Sequence, residues 1–145
     1  MPAAQKTGRG RAVADFTDLS RYIRLVTSDT YPAEMIVQCV CACGGTTFRL
    51  QGDPEVGCVR RTCTACRATA FICDSADHWA AARPEPCVCL CGNKSFLVGV
   101  GFSFRADGDV NWITIGVCCV RCGLVGTPAD WKVDYTPTDH LLQQT

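Results

Sequence analysis

The chain has 145 residues, enough for one compact domain or two very small ones. Its 14 basic and 14 acidic residues cancel, so the positive excess that gives a dedicated nucleic-acid binder most of its affinity is absent. No apolar run reaches transmembrane length, and the expectation is a soluble protein.

Thirteen cysteines are the outlier of the composition. A content this high marks either a disulfide scaffold or metal sites. Residues 1–11 are polar and basic with no apolar stretch behind them, which does not fit a secretory signal. An odd number of thiols also cannot pair completely. Disulfides need an oxidising compartment, so the expectation is a cytoplasmic protein whose thiols bind metal.

In chain order, residues 1–12 (MPAAQKTGRGRA) read as a disordered tail. Residues 17–26 read as a short helix with Thr17 as N-cap and Asp18 at the positive end of the dipole. Leu19, Tyr22, Ile23 and Val26 make one apolar stripe, expected to pack on the first β unit. The helix and its connection, ended by Tyr31-Pro32, fill residues 13–33.

The first β unit is expected over residues 34–82. An extended lead-in reaches Cys39, Cys41 and Cys43, and Gly44-Gly45 turns the chain. Residues 46–50 and 56–62 read as a strand pair that delivers Cys63 and Cys66, with a third strand at 68–73. A helical turn is expected around His78-Trp79. Arg83-Pro84-Glu85-Pro86 reads as a stiff extended linker.

The second β unit is expected over residues 87–128. Phe96, Val98, Val100, Phe102 and Phe104 alternate along one face. Asp107-Gly108 is a hairpin signal, and the return strand carries Cys118, Cys119 and Cys122. Gly123 to Gly126 reads as a short third strand. Residues 129–145 are too aromatic for disorder and are expected to pack back on the second unit.

The two units are copies. Cys87, Cys89, Cys91 and Phe96 follow Cys39, Cys41, Cys43 and Phe48 at a constant spacing of 48 residues. Cys119 and Cys122 follow Cys63 and Cys66 at 56, so the second hairpin is eight residues longer. Ala129-Asp130-Trp131 echoes Ala76-Asp77-His78-Trp79. An internal repeat of this kind marks a duplicated supersecondary unit.

Each half resembles the zinc-ribbon family, in which two cysteine knuckles clamp the ends of a β-hairpin. The resemblance rests on C-x-C-G with C-x-x-C and covers residues 37–73 and 85–126. It implies a mainly β fold with two structural zinc ions, a three-stranded sheet in each half, and binding in place of catalysis. The chain departs from the family at the first knuckle, where C-x-C-x-C-G replaces C-x-x-C-G. Alternate strand residues share a face, so any two of each cysteine trio can ligate. The glycine that follows Cys43 and Cys91 favours Cys41, Cys43, Cys63 and Cys66 for one site, and Cys89, Cys91, Cys119 and Cys122 for the other. Cys39 and Cys87 remain alternative ligands. Cys118, next to Cys119, is expected to point the opposite way.

No P-loop, G-x-S-x-G, H-E-x-x-H or zinc-deaminase pattern occurs. The expectation is therefore not an enzyme, with no small-molecule substrate and no membrane partner. The favoured partner is another protein, bound by an inhibitor or immunity-type module. Asp130, Trp131, Asp134, Tyr135 and Asp139 are the candidate contact residues, as interface-type aromatics with an acidic rim. The alternative is a nucleic-acid-binding or transcription-related protein. For that reading Arg49, Arg60, Arg61 and Arg67 cluster near Phe48 and Phe71.

Overall fold

A computed structural model describes residues 15–145. The tail expected at residues 1–12 lies outside them. The first element is helix α1 (Phe16–Thr27). Strands β1 (Met35–Gln38), β2 (Phe48–Asp53), β3 (Cys58–Cys63) and β4 (Thr69–Phe71) follow. A one-turn helix α2 (Ser75–His78) continues into a 3-10 turn, Trp79–Ala81. Strands β5 (Glu85–Pro86), β6 (Phe96–Phe104), β7 (Val110–Cys119) and β8 (Val125–Lys132) complete the sheet, and a 3-10 turn, Asp139–Gln143, lies near the end. The fold is mainly β: two hairpin units plus an N-terminal helix. Among the described residues no helix is long and apolar enough to cross a membrane.

The strands form one antiparallel sheet in the order β4-β3-β2-β6-β7-β8. The two units meet at a single pair, Phe48 opposite Phe96, the phenylalanines related by the repeat. Beyond that pair β2 and β6 diverge, and each gap is filled by the lead-in strand of the other unit. Strand β1, which leads to the first cysteine trio, pairs with β6 from Met35–Phe102 to Gln38–Gly99. Strand β5, which leads to the second trio, pairs with β2. The exchange is reciprocal to the residue: Cys39 N–H donates to Val98 O at 2.9 Å, and Cys87 N–H donates to Leu50 O at 2.9 Å.

One apolar cluster runs through both units, including Phe48, Leu50, Val59, Phe96, Val98, Phe102, Ile113, Ile115 and Leu141. The sheet turns back on itself, so that Trp131 of β8 lies against Gly57 of the β2–β3 turn; a Cβ on Gly57 would stand 2.7 Å from that of Trp131. The C-terminal segment packs on the second unit and continues to the first. Thr138 caps Val110 N–H at 2.7 Å, whereas Gln144 O accepts from Cys73 N–H at 2.6 Å.

Helix α1 departs from expectation in two ways. Asp15, not Thr17, is the N-cap, its carboxylate accepting from Thr17 N–H at 2.8 Å. The helix also seats on the second unit, not the first. Leu19, Tyr22 and Ile23 pack with Leu97, Cys118 and Val125, and Phe16 supplies the contact expected of Val26, which is 40 % exposed. The reason is clearance. Cβ atoms built on Gly99, Gly101 and Gly116 would lie 3.0, 3.0 and 2.4 Å from Phe16, Ile23 and Ile23. Only glycine lets the helix come this close, and fully burying a Leu or Ile there is worth about 1.5–3 kcal/mol.

Two further expectations are corrected. The short third strand of the second unit runs on to Lys132, absorbing Asp130 and Trp131 into β8. The echo between Ala76–Trp79 and Ala129–Trp131 is therefore not structural, since the first stretch is a helical turn and the second a strand.

Candidate metal centres

Each knuckle is a short turn whose geometry the sequence sets locally. Cys41 N–H donates to Gly45 O, and Gly44 N–H returns to Cys41 O, both at 2.8 Å. Cys89, Asn93 and Gly92 repeat the pattern at the same two distances. The turn demands a left-handed residue, supplied by Gly44 at φ 91° and Gly92 at φ 92°. In the second knuckles, Arg67 N–H donates to Cys63 O and Gly123 N–H to Cys119 O, both at 2.9 Å.

These turns bring together Cys41, Cys43, Cys63 and Cys66 at one end of the first hairpin, and Cys89, Cys91, Cys119 and Cys122 at the matching end of the second. Within each group the four sulfurs lie within 4.8 Å of one another. The Sγ separations are 3.5 Å for Cys41–Cys66 and 3.7 Å for Cys43–Cys63. They are 3.5 Å for Cys89–Cys122 and 3.7 Å for Cys91–Cys119. A tetrahedral ion with sulfur at about 2.3 Å holds its sulfurs about 3.8 Å apart, so both groups fit a metal ion. A disulfide would need about 2.05 Å, and all thirteen cysteines are free thiols.

The surroundings favour negative sulfur. The Cys66 N–H, against the effect of burial and with help from Ala65 N–H, holds the Cys63 thiol down at about 6. Burial alone would raise Cys119, but the N–H groups of Cys122 and Arg121 and the Asn93 side-chain amide bring it to about 6. Asn93 Nδ2 is 3.3 Å from the sulfur. Cys43, despite the Gly45 N–H, is pushed up to about 11 by its neighbouring thiols, and burial raises Cys89. Each group thus shares protons among four sulfurs, which a cation at the centre would replace. The N–H donors hold the sulfurs in the orientation a thiolate ligand needs.

Cys39 and Cys87 belong to neither group. They are 0 % and 1 % exposed in the shared core, and burial pushes both thiols up to about 12. They remain neutral apolar side chains at the two strand crossings. Cys118 points to the α1 side of the sheet, and Cys58 and Cys73 are buried elsewhere.

The proposed contact residues divide. Trp131 is 8 % exposed, its Nε1–H donating to Asp74 Oδ1 at 3.1 Å, and Tyr135 O–H donates to Asp74 Oδ2 at 2.7 Å. Asp130 is exposed and accepts from Trp112 Nε1–H at 2.9 Å. Asp134 and Asp139 face solvent. The sequence did not single out Asp74, the buried carboxylate that anchors both rings, because nothing local marks a partner sixty residues away.

The arginine cluster divides as well. Arg61 lies over the buried Phe48 ring at 4.7 Å and donates through Nε to Thr145 O at 3.0 Å, on the core side of the sheet. Arg49, Arg60 and Phe71 take the opposite face, where Trp79 joins them, 4.9 Å from Arg60 Cζ and edge-on to Phe71 at 5.2 Å. His78 stands 3.7 Å from Asp74, and His140 lies in the last 3-10 turn; neither joins a cysteine group. Comparison with known protein families, curated proteins and solved structures finds no match to this chain.

Proposed function

We propose that this protein is a non-enzymatic, zinc-stapled β scaffold that acts by binding another protein, in the manner of an inhibitor or immunity-type protein. An all-thiolate set of four at tetrahedral spacing suits zinc, and closure by four protein ligands leaves no open position for substrate. Thirteen reduced thiols suit the cytoplasm.

The observation that carries the binding role is the run of exposed apolar side chains along the end of α1, its connection and the start of β1. Leu25 and Val26 in the last turn of α1 are 70 % and 40 % exposed, and Tyr31 and Met35 are 40 % and 41 % exposed. Tyr31 stacks on Trp112 at 4.2 Å, and Met35 opens β1 opposite Phe102. Aromatic and methionine side chains are enriched in protein contacts. Asp130, exposed and hydrogen-bonded to the Trp112 ring on which Tyr31 stacks, adds an acidic group beside them.

The test is native mass spectrometry of tagged protein drawn from its own cytosol without chelator. The expected result is two zinc ions and a stoichiometric protein mass that survives high salt and is lost from the Leu25→Asp, Met35→Asp double variant. Extra mass removed by nuclease would show nucleic-acid binding in its place and overturn the reading.

A further inference from the structure

The repeat makes it possible to compare the outer sheet face of one unit with that of the other, position by position. In the second unit the first row across β6, β7 and β8 is Leu97, Cys118 and Val125, and the second row is Gly99 with Gly116. Helix α1 covers that face. In the first unit the equivalent rows across β2, β3 and β4 are Arg49, Thr62 and Thr69, then Gln51, Arg60 and Phe71. Each apolar or glycine position that receives the helix has become an arginine, threonine or glutamine. Arg49 and Thr69 are exposed and Thr62 half-buried. Arg67, also exposed, sits in the β3–β4 turn at the metal end of this face. The one carboxylate on these strands, Asp53, lies in the last row and is engaged by the N–H groups of Glu55 and Arg83.

We infer that this open face of the first unit is a docking site for an acidic, extended segment of a partner protein. The inference rests on the protein-binding reading above but uses a different surface and a different chemistry. Guanidinium groups pair with carboxylates through parallel N–H donors, and threonine hydroxyls add further donors beside them. Arg60 is held in place beneath the exposed groups: one terminal N–H₂ donates to Gln51 Oε1 at 2.6 Å and its guanidinium lies 4.9 Å from the Trp79 ring, so it adds positive charge to the face while Arg49 and Arg67 are the guanidiniums in reach of a carboxylate. A second helix cannot seat as α1 does, because Gln51 and Arg60 stand where glycines admit α1. The face suits an acidic peptide better than a single-stranded nucleic acid. One side of the Trp79 ring is taken by Arg60 and Phe71 packs against it edge-on, so the stacking platform that bases need is already occupied. A few arginines also neutralise few phosphates.

The test uses the full chain loaded with zinc and two labelled probes, a short oligo-glutamate peptide and an oligothymidylate of equal length, titrated by fluorescence anisotropy. Low salt is used so that screening does not mask exposed contacts. The peptide should bind, and the Arg49→Glu, Arg67→Glu double variant should bind it about tenfold more weakly, the scale of two exposed ion pairs. Arg21→Glu with Lys132→Glu makes the same change in net charge on α1 and β8 of the second unit and should leave binding unchanged. Metal content of two per chain verifies the fold of each variant. No peptide binding, equal loss in both variants, or tighter arginine-dependent binding of the oligothymidylate would each overturn the inference. Failure here alongside a stoichiometric protein partner that depends on Leu25 and Met35 would leave the binding role standing and remove this surface from it.

Discussion

Arg67 occupies a backbone position where its counterpart is glycine. Its φ is 67°, and Gly123, its equivalent in the second knuckle, has φ 79°. A side chain in the left-handed region costs roughly 1–2 kcal/mol, and such strain is often kept for a functional reason. Arg67→Gly should raise the stability of metal-loaded protein by about 1 kcal/mol, read as a higher thermal midpoint. An unchanged or lower midpoint would show that the arginine side chain offsets its strain. Tyr135 is a second residue-scale case. Burial, together with its hydrogen bond to Asp74 and that group's charge, pushes the phenol above the usual range. A raised folded-state value favours the protonated form. Its contribution to stability is complete below about pH 10 and declines as pH rises beyond the unfolded value. Ultraviolet titration should show Tyr135 ionising late, alongside Tyr22, which burial also raises, and Tyr135→Phe should shrink that late component by one phenol and flatten the alkaline loss. A full complement of tyrosines ionising near pH 10 would contradict the anchored hydroxyl.

Among the elements, α1 shows how a glycine stripe selects a partner. The amphipathic stripe was readable from spacing; the surface that receives it was not, because glycines in a strand do not announce what approaches them. Gly116→Ala would place a methyl 2.4 Å from Ile23 Cδ1 and 3.2 Å from Leu19 Cδ1. The helix must shift, and the cost should be about 1–3 kcal/mol of unfolding free energy. Denaturant unfolding followed by circular dichroism measures it; an unaltered midpoint would mean that α1 is not seated as described. Strand β8 teaches the same lesson at its far end. Its alternation was obscured by Pro128, which lacks a ladder donor, and Ala129 and Trp131 are buried where a tail was expected.

Taken whole, the molecule does not separate into two independently stapled halves. Each lead-in strand completes the other unit's sheet, and one apolar cluster includes residues of both. From sequence alone, Cys119→Ser should unfold the second half. With the exchanged strands, loss of either cluster should bring down both. Cys63→Ser and Cys119→Ser are each expected to give a single transition at markedly lower temperature, with sheet signal and bound metal lost together, since a structural zinc site contributes about 10–16 kcal/mol to folding. A variant that keeps one tightly bound metal and shows two separate transitions would mean that the units fold alone.

The sequence by itself determined the duplication and the hairpins, and it favoured the eight cysteines that gather. Those features depend on local spacing: a glycine three residues past Cys41 or Cys89 closes the turn, and C-x-x-C closes its partner. Cys39 and Cys87 stayed ambiguous because alternation put them on the same face as the ligands. The tertiary structure alone decided that they are core side chains at the strand crossings, where burial keeps their thiols neutral. It also decided which unit α1 covers, that Asp74 anchors Trp131 and Tyr135, and that the first unit's outer face stays open. Each of these depends on contacts between residues far apart in the chain, and no periodicity in a single segment encodes the neighbour that another segment will supply.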